Sequence, residues 1–271
     1  TPLEKLNRNL IQMFLFLFIF WPNSYKFRKK LLNSEQFDVI HFNHISLGFL
    51  AKWCNINSIG KKQIMHFRTM PPKNFFTKLL YKNSKKYCDS FLYITENEKD
   101  HLHNIIGKPN LNEKVIYNPI KVFNKEKTML FENDYRFKIG ILSNYSYSRG
   151  IDRTLEIYDA IPKEKKRNFL FVIAGDMTLK KNILNLNIKN KKSFSEVVDA
   201  LGYGDNFKFL GLLKYPEEFL QNINVLLKPT RQNNPWGRDI LEALSFGKPA
   251  ISIGTYDKFI ENNVTGFLQR K

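Results

Sequence analysis

The stretch from Asn224 to Gly266, NVLLKPTRQNNPWGRDILEALSFGKPAISIGTYDKFIENNVTG, constrains the fold more than any other. Asn224–Lys228 is a short apolar run closed by Pro229, which suits a buried strand. A polar loop follows from Thr230 to Trp236. Ile240, Leu241, Ala243 and Leu244 then recur at helical spacing, and Gly247 stands where a helix stops, so a helix is expected over Gly237–Phe246. Ala250–Ile253 is a second short strand. Strand, loop, helix and strand make one βαβ unit, and open α/β sheets bind ligands at the carboxyl ends of such strands.

The start of that helix offers specific chemistry. Backbone amides at Gly237, Arg238 and Asp239 have no partner inside a helix, so they form an anion site. Arg238 adds positive charge, whereas Asp239 competes with an anion for the same dipole end. Glu242 lies one turn further in. A carboxylate beside an anion site makes sense if it binds a neutral diol, as the acidic residue of dinucleotide folds binds ribose. Phosphates at the helix tip with ribose on Glu242 describe a nucleotide.

The stretch resembles the signature of the retaining GT-B glycosyltransferases of glycosyltransferase family 4. Their pattern is a Glu, seven residues, and a second Glu inside LEA, followed by a small residue, Gly and Pro. Leu241-Glu242-Ala243 and Gly247-Lys248-Pro249 match its second half. The first Glu falls on Asn234, which hydrogen bonds but carries no charge. The competing reading of the residues is an ordinary amphipathic helix with a surface Glu.

The likeness extends over roughly residues 35 to 270. FDVIHFNH, IMHFRT, YCDSFLYITENEKDHL, KVIYNPI, VIAGD and FLGLL are similar to successive family segments, in the family's order. It implies that the family's first strand and Gly-rich acceptor-side loop precede residue 1, and that terminal helices follow Lys271, so the chain reads as an internal fragment. The fold it implies is α/β, with two doubly wound Rossmann-like domains (GT-B). Residues 1–120 form an incomplete acceptor-side domain, 121–135 a linker, and 136–271 a nucleotide-sugar-binding domain.

The rhythm of strands and helices supports this independently. Strands are expected at Phe37–Phe42, Gln63–Phe67, Ser90–Ile94 and Val115–Tyr117. Helices are expected at Ser46–Cys54, Phe75–Tyr87 and from Thr95 through His103. After the polar stretch Ile120–Tyr135 the pattern restarts. Strands fall at Phe137–Leu142, Phe169–Ala174 and Phe207–Leu210, with helices at Gly150–Ile161, Ser193–Leu201 and Tyr215–Gln221.

A second anion site is expected at Tyr145–Gly150, where free amides at a helix start meet Arg149. The resemblance assigns Arg149 and Gly150 to the donor diphosphate. The family's other cation position falls on the neutral Ser143 or Asn144, leaving Arg238 or Arg231 to replace it. The donor-binding set is thus Arg149, Gly150, Arg231, Gly237, Arg238, Asp239 and Glu242. The resemblance also implies that His66, at the end of a strand, meets the donor sugar near its reacting carbon, so His66 and Asn234 are the catalytic candidates. Arg68 is near enough in sequence to hold an anionic group.

No metal or other cofactor is expected. His41 and His44 lack a third ligand, and His101 and His103 face different ways on a helix. No carboxylate pair of the kind a glycoside hydrolase needs stands at the proposed cleft. Two cysteines, Cys54 and Cys88, have no motif spacing and point to a reducing compartment.

A formal charge of +18 fits nucleic acid, an anionic membrane or anionic small molecules. No compact Lys/Arg run with stacking aromatics supports nucleic acid. Contact with anionic lipid headgroups is favoured, which places the protein in the cytoplasm, peripheral at the inner membrane face. Leu10–Trp21 is the most apolar run; about 12 residues is short of the roughly 20 that span a bilayer. It reads as a buried helix, or as an apolar face dipping into a membrane. The expected partners are a nucleotide-sugar donor, a glycan or lipid-linked acceptor and the membrane surface. Alternatives are a non-catalytic nucleotide-sugar-binding or assembly module of GT-B fold, or an epimerase of that fold.

Overall fold

The computed structural model describes residues 18–19, 21–120, 130–179 and 191–270. The chain forms two compact units, residues 1–118 and 119–271. In the first, helix α1 (Tyr25–Leu32) precedes β1 (Phe37–Phe42), α2 (Gly48–Ile56), β2 (Gly60–Phe67), α3 (Phe75–Tyr87), β3 (Ser90–Tyr93), α4 (Glu96–Ile106) and β4 (Asn112–Val115). The four strands pair in the order β1-β2-β3-β4, all parallel. Alternate residues of β2 and β3 face the core, where Phe67, Tyr81, Phe91 and Tyr93 pack ring against ring. Aromatic pairs of this geometry add about 0.5–1.5 kcal/mol each beyond area burial.

Helix α4 starts with a Thr95 cap. The Thr95 hydroxyl accepts from the Asn97 amide and donates to the Glu98 carboxylate. Glu98 is 2% exposed. Burial pushes its carboxyl up to about 7, against the opposing pull of the Thr95 hydroxyl and its own backbone amide. A carboxyl raised by folding stabilises fully below its unfolded value of about 4.3, and that contribution is lost as pH rises through the folded value. Glu98→Gln removes this loss. The variant's melting temperature is therefore expected to fall less than the parent's between pH about 4.3 and 7, read by thermal denaturation across that window. Parallel curves for the two proteins would refute it.

The strand expected at Val115–Tyr117 lies earlier, at Asn112–Val115. Pairing decides this: Ser90 stands opposite Asn112 and Tyr93 opposite Val115. The polar Glu113 is held there by the Tyr93 hydroxyl at 2.5 Å and His103 Nε2 at 2.8 Å. Of the apolar run Leu10–Trp21, residues 10–17 and 20 lie outside the described residues. Trp21 packs against the core, with the Arg28 guanidinium 4.0 Å from its ring centroid. No described helix is long and apolar enough to cross a membrane.

The second unit runs β5 (Phe137–Leu142), α5 (Arg153–Asp159), α6 (Lys163–Lys166), β6 (Phe169–Ala174), α7 (Phe194–Ala200), β7 (Phe207–Gly211), α8 (Pro216–Asn222), β8 (Val225–Lys228), α9 (Arg238–Ser245), β9 (Ala250–Ile253) and β10 (Gly266–Gln269). Its six strands are all parallel, in the order β10-β9-β8-β5-β6-β7. β6 is buried on both faces. Phe171 and Ile173 join the core under α5 and α7, while Leu170, Val172 and Ala174 join the core under α8 and α9. Helices on both faces make this sheet doubly wound.

β10 is absent from the sequence reading. Only Leu268 of its two central apolar residues is buried, and Phe267 is 52% exposed, as on an edge strand. Residues 121–129 of the expected linker lie outside the described residues. Beyond them, Leu130 donates its amide to Asn222 Oδ1 at 3.0 Å and Phe131 packs on the core of this unit.

Candidate functional site

The order of the second sheet reverses between β8 and β5. At such a reversal the connections leave in opposite directions, so the carboxyl ends of the two strands open a crevice. Two loops meet there, 143–152 after β5 and 229–237 after β8.

In the first loop the Ser146 hydroxyl accepts from the Arg149 amide at 3.3 Å and starts a 3₁₀ turn, Tyr147–Arg149. Gly150 closes the turn at φ +69°. A Cβ at Gly150 would lie 2.0 Å from the Pro229 carbonyl oxygen, so the loops approach as closely as glycine permits. The expectation of free amides here is corrected. The Arg149 and Gly150 amides already donate to the Ser146 and Tyr147 carbonyls, each at 3.1 Å, and α5 begins only at Arg153. What the loop presents is the Arg149 side chain, exposed, with Nη1 donating to the Ser143 hydroxyl at 2.7 Å. A neutral hydroxyl is a weak competitor for a guanidinium, so Arg149 is available to an anion.

In the second loop the buried Thr230 hydroxyl donates to Asn234 Oδ1 at 2.8 Å, and Asn234 Nδ2 donates to Gln232 Oε1 at 3.3 Å. Asn233 accepts from the Thr255 amide at 2.9 Å, tying the loop to the segment after β9. Helix α9 then starts at Gly237, whose extended backbone supplies no side-chain cap.

The charged groups at α9 are paired. Lys228 Nζ lies 3.0 Å from Asp239 Oδ1 and donates to the Trp236 carbonyl at 2.8 Å. Asp239 is thus neutralised by the last residue of β8 rather than left to repel an anion. Arg238 Nη2 lies 2.9 Å from Glu242 Oε1, with side-chain exposures of 72% and 9%. An i,i+4 pair with one exposed partner holds about 0.3–0.5 kcal/mol. Arg238 is therefore easily displaced, whereas the Glu242 carboxylate stays where burial puts it. Arg231 is engaged differently. Its Nη1 and Nη2 each lie 2.7 Å from the two Asp152 carboxylate oxygens.

In the first unit, His66 is the last residue but one of β2. Its Nδ1 is 3.2 Å from His41 Nε2, and the rings stack with centroids 5.3 Å apart. Burial, then the nearby charges of His41 and Arg68, lower its pKa to about 4, so it is neutral at pH 7. His44 turns away to Ser46 and Thr69, at 2.8 Å and 3.3 Å. His101 reaches the Pro71 carbonyl at 2.7 Å. Among the described residues no group of three or more His, Cys, Asp or Glu side chains could hold a metal ion.

Arg149, Gly150, Arg231, Asn234, Gly237, Arg238, Asp239 and Glu242 are all borne by the two loops at the reversal or by the helix between β8 and β9. Sequence reasoning missed Lys228, Asp152 and Tyr147. Nothing in the local pattern marks them, because their partners lie 11, 79 and 84 residues away.

Comparison with known proteins agrees with this architecture. The family model of glycosyl transferases group 1 matches residues 122–270, more than half of the chain. An uncharacterised glycosyltransferase of Methanocaldococcus jannaschii is 27% identical over 258 residues, which cover 92% of this chain and 66% of that protein. The O-antigen biosynthesis glycosyltransferase WclY of Escherichia coli is 24% identical over 237 residues, covering 80% of this chain and 61% of its own length. The chain thus spans just under two thirds of these relatives.

Among solved structures, Anabaena HepE in complex with UDP and glucose superposes with a TM-score of 0.72 at 18% identity, over 91% of this chain and 67% of that one. The pneumococcal O-GlcNAc transferase GtfA, in complex with UDP and GlcNAc, gives 0.63 at 13% identity, over 92% and 49%. Two α/β units with parallel sheets, the structural likeness and the family match lead to one statement: the chain belongs to the group 1 glycosyl transferases and has the GT-B fold.

Proposed function

We propose that the protein is a retaining glycosyltransferase of glycosyltransferase family 4. It is a hexosyltransferase that moves a sugar from a nucleotide-diphosphate donor to a glycan or lipid-linked acceptor in cell-surface polysaccharide synthesis, such as that of lipopolysaccharide. The observation that carries this reading is a buried carboxylate, Glu242, one turn inside an uncapped helix start at the reversal of strand order. HepE with UDP and glucose, and WclY of O-antigen biosynthesis, support the donor class and the pathway class.

In this reading the ribose hydroxyls bond to Glu242. The diphosphate lies against Arg149 and the α9 start, with Arg238 released from its weak pair. The diphosphate leaves from the anomeric carbon, and the incoming hydroxyl arrives on the same face and gives up its proton to it. The protein's part is to stabilise charge developing on the leaving phosphate. No metal is required, because Arg149 and the helix start supply the positive field. Arg149→Ala is expected to weaken donor binding. His66, neutral at pH 7, is proposed as a catalytic residue, tested by the loss of transfer in His66→Ala.

Isothermal titration with UDP, GDP and their sugars tests the reading. Saturable binding of one nucleotide series is expected, and none with either would refute it. Asn234 favours a second reading, since its neutral amide, tied to Thr230, stands where the resemblance expects a carboxylate. A binding module binds donor without transfer, so donor binding with no transfer by a version spanning the family's full length would favour it. Asn234→Glu assayed beside the parent reports whether that carboxylate limits turnover. We propose action at the inner membrane face, given the +18 charge. Flotation with anionic but not neutral liposomes is expected, and equal behaviour with both would count against it.

A further inference from the structure

Arg231 stands in the proposed donor loop, yet its binding capacity is spent inside the protein. Its two terminal nitrogens meet the two oxygens of Asp152 at 2.7 Å each, as a planar fork on a carboxylate. Nη1 also donates to the Tyr147 carbonyl at 2.9 Å, and the guanidinium carbon lies 4.2 Å from the centroid of the Tyr147 ring. The Arg231 amide donates to the Ser148 carbonyl at 3.0 Å. Side-chain exposures of 21% for Arg231 and 15% for Asp152 keep water and salt from screening the pair. Asp152's hydrogen bonds hold the guanidinium more firmly protonated than usual.

These contacts join two loops far apart in sequence. Arg231 lies three residues before Asn234, and Asp152 lies three after Arg149. The same seam holds Gly150 against the Pro229 carbonyl, and Arg153 Nη1 donates to the Thr230 carbonyl at 3.2 Å.

We propose that Arg231 and Asp152 are positioning residues. They lock the loop after β5 to the loop after β8, and so set Arg149, which meets the diphosphate, relative to Asn234, which stands at the position of the family's first Glu. The pair is close to neutral and adds little to the attraction of an anion; what it supplies is a fixed spacing. This rests on the donor site proposed above and deepens it, because the residue that resembles a phosphate ligand becomes part of the frame instead.

The test uses Asp152→Asn, Arg231→Gln, the conservative Arg231→Lys and the Asn/Gln double variant, with UDP as titrant and thermal denaturation as a check of folding. Each single variant is expected to weaken UDP about tenfold, and the double variant no more than the worse single, as for residues that act as one unit. Arg231→Lys keeps the charge but not the fork and should weaken binding too. Asp152→Asn is decisive. It makes the region more positive, so an Arg231 that were itself a phosphate ligand would bind UDP as well or better, with Arg231→Gln flattening the salt dependence. That result would overturn the lock.

Hydrogen exchange keeps the inference testable apart from nucleotide binding. Asp152→Asn should speed exchange in residues 229–236 as well as in 143–152, and unchanged exchange in the distant loop would refute the lock even if UDP binds. If the parent binds neither UDP nor GDP but exchange behaves as stated, the nucleotide reading falls and the lock stands.

Discussion

Glu242→Ala is expected to weaken binding of the nucleotide-diphosphate donor about 10- to 150-fold. A hydrogen bond to a charged group holds about 1.5–3 kcal/mol, and each 1.4 kcal/mol is tenfold. Glu242 is buried, 7% exposed as a residue, and its carboxylate shares one oxygen with the exposed guanidinium of Arg238. Removing it therefore deletes a preplaced acceptor without breaking a tight internal pair. The largest part of the loss should disappear when the titrant lacks ribose hydroxyls, because the parent then has nothing to offer that the variant lacks. Titration calorimetry with UDP and its 2′,3′-dideoxy analogue measures both numbers. Equal affinity of parent and variant for UDP would remove Glu242 from the site, and with it the reason to place a nucleotide there.

Gly150→Ala is expected to be the most damaging small substitution in the site. A left-handed backbone costs a residue with a Cβ about 1–2 kcal/mol. Forcing a methyl against a packed backbone costs about 1–3 kcal/mol more. Both apply, since Gly150 has φ +69° and its Cβ would fall 2.0 Å from the Pro229 carbonyl oxygen. A carbonyl oxygen cannot swing aside as a side chain can, so the two loops must separate. The melting temperature should fall by about 2–4 °C for each kcal/mol in a unit of this size, and UDP affinity should fall with it. Gly202→Ala, in the same unit, is the control. Gly202 also has positive φ, +74°, but nothing lies within 4 Å of its Cβ, so no steric cost is added there. A Gly150→Ala protein no less stable than Gly202→Ala would show that the seam between the loops is not tightly closed.

Much of the local structure was legible because its causes lie within a few residues. Phe75–Tyr87, Phe137–Leu142, Phe169–Ala174 and Ala250–Ile253 form where apolar runs and helical spacing place them. Thr95 and Ser193 cap helices as their side chains allow, each accepting from a backbone amide two or three residues on. Boundaries slipped where a neighbour decides. The helix expected at Gly150–Ile161 begins at Arg153, because a 3₁₀ turn takes up the amides before it. Three of the site's charged groups, Arg231, Arg238 and Asp239, were read one at a time, as free cations or a competing anion. In the fold Arg231 binds Asp152, Arg238 binds Glu242 and Asp239 binds Lys228.

The sequence by itself determined the alternation of parallel strands and helices, the family, and the residues gathered around the late helix. The alternation is written in spacing along the chain, and the other two in the motif residues that carry the family resemblance. Tertiary structure alone decided that β5 lies between β8 and β6, that Gly266–Gln269 pairs beside β9, and that Arg231 serves as a tie between loops. Strand order and cross-loop ion pairs join residues dozens of positions apart. Their free energy appears only once the chain has closed on itself, so no short window of sequence carries it.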